Sequence, residues 1–174
     1  MPSINDFLYK GFHIEELNSS LLKKESPYIV YHLASGSQKA ALAAQLLCHK
    51  QALIITSTEE NAQKWLSDLQ TWLPDRNILL FPPTEWLPFE VLGRSRETTA
   101  QRIKVLSSLL QANKNPTSAG DIIIAPIHAV MRKLFHPDSW RKYCLSLRRE
   151  EQYSLADIIS ILIDAGYVRE ETIE

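Results

Sequence analysis

Four short apolar runs, separated by helix-forming stretches, constrain this chain more than any other feature. They are Tyr28-Ile29-Val30-Tyr31, Ala52-Leu53-Ile54-Ile55-Thr56, Ile78-Leu79-Leu80-Phe81 and Asp121-Ile122-Ile123-Ile124-Ala125. A strand that is apolar at successive positions buries both of its faces, as in a parallel sheet covered by helices. The predicted fold is therefore α/β: an open, mainly parallel sheet with helices on both faces.

The intervening stretches agree with this. Ala40 to Cys48 is rich in Ala and Leu and reads as a helix. Ser57 and Glu60 have capping-box spacing, and Ala62, Trp65, Leu66, Leu69, Trp72 and Leu73 form a helical stripe that Pro74 ends. Ile103, Leu106, Leu109 and Leu110 define a further amphipathic helix, and Asn113 to Gly120 is a polar connection. Three segments are expected: a helical lead-in over 1–26, the α/β domain over 27–135, and the start of a smaller α+β domain over 136–174.

In that last segment His136-Pro137-Asp138-Ser139-Trp140 reads as a turn or short helix, and Cys144-Leu145-Ser146-Leu147 as a short strand. Ser154 is placed to cap a helix that buries Leu155, Ile158, Ile159, Leu162 and Ile163, with Gly166 as its left-handed cap. Tyr167-Val168-Arg169 begins an extended segment with no successor, so the chain is expected to end inside its second domain.

Composition excludes several classes. With 174 residues, 45% hydrophobic and 22% charged, the chain can bury a core and is not disordered. A balance of 19 basic and 20 acidic residues argues against a general electrostatic binder of nucleic acid. Cys48 and Cys144 are too few for a disulfide framework and fit reduced thiols. The longest mostly apolar stretch, Ile122 to Met131, is far short of the roughly 20 residues that span a bilayer, and no secretory signal is visible. A cytoplasmic location without membrane contact is expected.

The turn after the first strand is where an α/β sheet most often binds phosphate. Here it reads Leu33-Ala34-Ser35-Gly36-Ser37-Gln38-Lys39-Ala40. A phosphate loop, G-x-x-x-x-G-K-[ST], needs glycines to curl amides around phosphate, a lysine for the outer phosphates and a hydroxyl for magnesium. Leu33 and Gln38 replace the glycines and Ala40 replaces the hydroxyl, leaving Gly36, Ser37 and Lys39. The loop reads as a degenerate scaffold turn without nucleotide, and a divergent ATP-binding helicase half that uses Lys39 is the alternative.

Other features are weaker. Phe81-Pro82-Pro83-Thr84-Glu85-Trp86-Leu87-Pro88-Phe89-Glu90 is a proline-fixed loop whose aromatic residues pack back on the domain or meet a partner. Six basic residues lie between Arg132 and Arg149 with Asp138 as the one acid, and seven acids follow from Glu150 to Glu174. A solvated basic face accounts for the former, with duplex-DNA binding as a third reading. The histidines and cysteines have no metal-ligand spacing, and no catalytic constellation is found.

Taken in order, Ser35-Gly36-Ser37-Gln38-Lys39, Leu53-Ile54-Ile55-Thr56, Phe81-Pro82 with Glu85 and Leu87-Pro88-Phe89-Glu90, Gln101-Arg102-Ile103, Ile124-Ala125-Pro126-Ile127 and Asp164-Ala165-Gly166-Tyr167 form a series. It resembles the N-terminal UvrB-like module of the bacterial transcription-repair coupling factors (Mfd), from about Tyr28 onward. Thr84-Glu85-Trp86 departs from the family's commoner W-E-T at that point.

The resemblance implies a P-loop NTPase-like half that has lost its nucleotide site. It implies a non-enzymatic module that recruits UvrA to RNA polymerase stalled at DNA lesions during nucleotide excision repair. ATP and magnesium, duplex DNA and polymerase displacement would belong to motor and other domains of a longer ATP-dependent translocase. No cofactor is expected in this chain. Arg169, two residues beyond the tyrosine of the A-G-Y pattern, is the position the resemblance carries to the UvrA surface.

Overall fold

The computed structural model describes residues 17, 19, 29–30, 33, 36–84, 95–112, 120–143, 145, 147 and 149–170. The chain divides after Arg132 into two compact units.

In the first unit, helix α1 (Gly36–Leu47) precedes strand β1 (Ala52–Thr56), helix α2 (Glu59–Trp72) and strand β2 (Ile78–Leu80). Helix α3 (Arg96–Ala112), strand β3 (Ile122–Pro126) and the single turn α4 (Ile127–Val130) follow. The three strands form one parallel sheet in the order β1-β3-β2. Ala52 is paired with Ile122 and Thr56 with Pro126, while Ile78 also pairs with Ile122 from the other side.

The central position of β3 explains its sequence. All five of its residues are buried. Ile122 and Ile124 pack with Ala40, Ala44, Ala62, Leu69 and Ile78 on one face. Ile123 and Ala125 pack with Leu79, Phe81, Val105 and Ala129 on the other. From β1 to β2 the chain steps across β3 in one direction, and from β2 to β3 it steps back. Crossovers of one hand running in opposite directions put their helices on opposite faces. Accordingly α2 joins the first cluster and α3 the second.

The edge strand β1 is covered on one face only. Ile54 packs on the first cluster, while Leu53 and Ile55 are 54% and 52% exposed. Its continuous apolar run predicts two covered faces, and among the described residues one is open. Of the expected first strand, Tyr28 and Tyr31 lie outside the described residues, and Ile29 and Val30 pair with no strand. The described sheet has three strands. Of the helical lead-in, Leu17 and Ser19 are described, and both are helical.

Two helices differ from their expected detail. The N-cap of α2 is Thr58, whose hydroxyl accepts from the Asn61 amide at 3.2 Å. Ser57 accepts from the Asn61 side chain instead, and Glu60 accepts from Lys64 rather than reaching back. Both hydroxyls suit a cap, and Thr56 selects between them by donating to the Thr58 carbonyl at 2.8 Å. In α3 the fully buried residue is Val105, whereas Ile103 and Leu109 are exposed. The helix presents the side that carries Val105 and Leu106, because Leu79, Phe81 and Ile123 form the surface it meets.

At the amino ends of the strands Arg76 ties the segments together. Its guanidinium donates to the carbonyls of Cys48, Lys50 and Gly120 at 2.8–2.9 Å. Asp121 accepts from Asn77 at 2.9 Å and also from the Ser108 hydroxyl.

The second unit contains α5 (Pro137–Tyr143) and α6 (Leu155–Asp164). Pro137 opens α5, a position where the missing N–H costs nothing. Ser154 caps α6 by accepting from the Asp157 amide. Of the short strand expected over Cys144–Leu147, Cys144 and Ser146 lie outside the described residues, and Leu145 and Leu147 pair with no strand.

Candidate functional site

The degenerate phosphate loop leads into α1. Gly36, Ser37, Gln38 and Lys39 form its exposed first turn, while Ala40 is fully buried. Leu33 is half-buried, and Ala34 and Ser35 lie outside the described residues.

The burial of Ala40 gives its substitution a physical meaning. Where the motif would put a magnesium-holding hydroxyl, this chain has a methyl group packed in the cluster of Ala44, Ala62, Leu69 and Ile122. A methyl has no ligating atom, and it contributes to the core instead. Gly36 is helical, does not adopt a left-handed φ, and a Cβ there would meet nothing within 4 Å. The conformational freedom for which phosphate loops use glycine is not called on at this position. Lys39 stands on the exposed side of the turn, the one charged residue kept from the motif.

The proline-marked segment is anchored at its start. Phe81 and Pro82 are buried and Pro83 and Thr84 half-buried; Glu85 to Glu90 lie outside the described residues. Arg102 of α3 lies over the Phe81 ring, 4.0 Å from its centroid, and donates from Nη1 to the Pro82 carbonyl at 2.6 Å. Burial, and secondarily the charge of Arg132, lower the pKa of this guanidinium from its ordinary value. Neither the anchoring role of Arg102 nor the bracing role of Arg76 is signalled by motif or spacing. Gln101-Arg102-Ile103 enters the resemblance only as one member of the ordered series, with no link between Arg102 and the loop.

In the second unit, α6 ends in a Schellman cap that fixes the chain leading to Arg169. The Tyr167 amide donates to the Leu162 carbonyl at 3.0 Å and the Gly166 amide to that of Ile163 at 2.9 Å. Gly166 has a φ of 91°, the left-handed conformation expected of it. Tyr167, Val168 and Arg169 follow, all exposed.

The apolar stripe of α6 differs from its expected burial. Leu155 is 71% and Ile163 55% exposed, and the helix has no fully buried residue. Amphipathic spacing specifies the helix, but burial needs a surface to meet. Arg169 therefore follows two exposed apolar residues, Tyr167 and Val168, after a helix whose Leu155 and Ile163 are exposed as well. Arg141 of α5 is paired with Asp138 at 2.9 Å, so part of the basic segment is internally neutralised. Arg148 lies outside the described residues.

Among the described residues no three His, Cys, Asp or Glu side chains gather as metal ligands would. No described helix is long and apolar enough to cross a membrane.

Comparison with known proteins finds relatives that share one name. The chain is 28% identical over 141 residues to the transcription-repair-coupling factor of Bacillus subtilis (strain 168), covering 80% of this chain and 12% of that protein. It is 22% identical over 174 residues to the Staphylococcus haemolyticus (strain JCSC1435) protein of the same name, covering 99% of this chain and 14% of that one. The Staphylococcus aureus (strain USA300) protein is 23% identical over 174 residues, with the same coverage. No family model matches the chain. The chain thus spans about an eighth of the length of these relatives. Over most of its length the chain is thus similar to proteins named transcription-repair-coupling factor.

Proposed function

We propose that this chain is a non-catalytic protein-interaction module of a transcription-repair coupling factor. It recruits UvrA during nucleotide excision repair, through a surface to which Arg169 contributes. The observation that carries the non-catalytic part is the burial of Ala40. A phosphate loop whose metal-ligand position is a core methyl has exchanged magnesium binding for packing. The UvrB-like character of the module and its partner rest on the ordered motif series, joined by similarity to relatives named for coupling transcription to repair.

Arg169 suits a partner carboxylate. Its guanidinium can hold two carboxylate oxygens through parallel N–H bonds, a geometry that lysine does not offer. The exposed Tyr167 and Val168 beside it supply apolar area, so a contact here would combine burial with a charge-assisted bond. Translocation along duplex DNA, ATP hydrolysis and polymerase contact are assigned to other parts of the longer protein.

The test is capture of purified UvrA by this chain and by a longer protein carrying the complete second domain. Capture by the longer form, reduced at least about tenfold by Arg169→Glu, is expected for a buried charge pair. A longer form that ignores UvrA would refute the recruitment role. A thermal shift of several degrees with magnesium-ATP, abolished by Lys39→Ala, would instead establish the nucleotide-binding alternative.

A further inference from the structure

Gly166 stands between α6 and Arg169, and its conformation decides how the chain passes from one to the other. At the end of the helix three successive amides are tied back. Ala165 donates to the Ile161 carbonyl at 3.0 Å, Gly166 to that of Ile163 at 2.9 Å and Tyr167 to that of Leu162 at 3.0 Å. The last two bonds need a left-handed residue at Gly166, whose φ is 91°. Space does not call for glycine there, since a Cβ would meet nothing within 4 Å. The backbone does, because an L side chain is strained in that conformation.

The cap limits where Arg169 can stand. With Tyr167 tied, the Arg169 backbone, two residues on, stays within about 7 Å of a fixed point. If the cap opens, the last tied residue is Ala165, four residues back, and the reach becomes about 14 Å. Doubling the reach enlarges the accessible volume about eightfold, and a contact that needs one position is diluted in proportion. Tyr167 and Val168 are 66% and 81% exposed, so packing adds little to what the two amides fix.

We propose that Gly166 is a positioning residue for the contact between Arg169 and a carboxylate of the partner. Its left-handed turn presents the guanidinium from a preformed cap, so less freedom is lost on binding than if the segment were ordered at that moment. This inference rests on the recruitment reading above and adds to it the device that aims Arg169.

The test measures UvrA affinity for the longer protein that carries the complete second domain. Gly166→Val puts a β-branched residue where the left-handed conformation is least tolerated, and should weaken binding about five- to tenfold. Gly166→Asn, which tolerates that conformation, should stay within about twofold. Unfolding midpoints establish that each variant is folded, and Gly166→Ala, a milder strain with a smaller expected loss, replaces Gly166→Val if the latter is not.

A double-mutant cycle with Arg169→Gln separates aiming from general damage. Where Gly166 acts through Arg169, Gly166→Val adds little to the loss already caused by Arg169→Gln. A loss that adds in full overturns the proposal, as does an equal loss in Gly166→Asn. Weakening by Arg169→Gln with no effect of folded Gly166→Val overturns this inference and leaves the recruitment reading standing. Unchanged binding in Arg169→Gln removes Arg169 from the surface, and both fall.

Discussion

Arg76 donates from Nη2 to the carbonyl of Gly120 at 2.8 Å, joining residues 44 positions apart in the chain. Gly120 has a φ of 65°, and a Cβ there would fall 2.7 Å from that of Gln51. The same guanidinium holds the Cys48 and Lys50 carbonyls. The α1–β1 connection, the approach to β2 and the approach to β3 are thus braced by one side chain at the amino edge of the sheet.

Arg76→Ala is expected to lower unfolding free energy by about 2–4 kcal/mol, because three partly buried carbonyls lose a charged donor together. Arg76→Lys should recover only part of this, since an ammonium cannot reproduce the fork. Urea denaturation of the three proteins measures both values. A loss below about 0.5 kcal/mol for Arg76→Ala would show that the brace is not a stabilising element.

The two faces of the sheet should respond differently to truncation. Ile124→Ala empties a fully buried position in the central strand and is expected to cost about 3–4 kcal/mol. Leu53→Ala removes a half-exposed side chain on the open face of β1 and should cost under about 1 kcal/mol. Equal losses at the two positions would mean that β1 is covered in solution.

Two glycines make a matched pair. Gly166→Ala forces a Cβ into a left-handed conformation at the end of α6 and should cost about 1–2 kcal/mol, although the space around it is open. Gly36→Ala, in a helical turn with nothing near its Cβ, should be neutral or stabilising by up to about 1 kcal/mol. Thermal unfolding of the two variants reads out both signs. Strong destabilisation by Gly36→Ala would show that the old phosphate loop still needs its glycine.

Glu60 and Lys64 give a pH-dependent contact on α2. The 2.8 Å hydrogen bond from Lys64, then its charge, hold the Glu60 carboxyl below its ordinary range. A carboxyl with a lowered folded-state value binds its proton more readily in the unfolded chain. Its stabilisation is therefore present above the ordinary carboxylate range and disappears as pH falls through the depressed value. An NMR titration of the Glu60 carboxyl carbon should show its midpoint rise in Lys64→Gln. An unchanged midpoint would mean that the exposed pair does not persist in solution.

The sequence by itself determined the kind of fold. Apolar runs such as Ile122-Ile123-Ile124-Ala125 can satisfy both faces only inside a layered parallel sheet. The α2 stripe, Pro74, Ser154 and Gly166 also fixed their elements locally, because caps and periodicity depend on near neighbours in the chain. The loss of the motif's glycines at Leu33 and Gln38 and of its hydroxyl at Ala40, with Lys39 kept, was likewise legible as chemistry.

Only the tertiary structure decided what those residues meet. The same apolar character is buried at Ile124 and open at Leu53, because β3 lies between two strands and β1 at an edge. The α6 stripe specifies a helix and leaves its partner unstated, so Leu155 and Ile163 are exposed. Arg102 and the Pro82 carbonyl that it holds lie 20 positions apart in the chain. They come together because α3 packs on the face of β2 and β3 that carries Leu79 and Ile123, and adjacency in a parallel sheet is set by long-range pairing that local sequence does not encode.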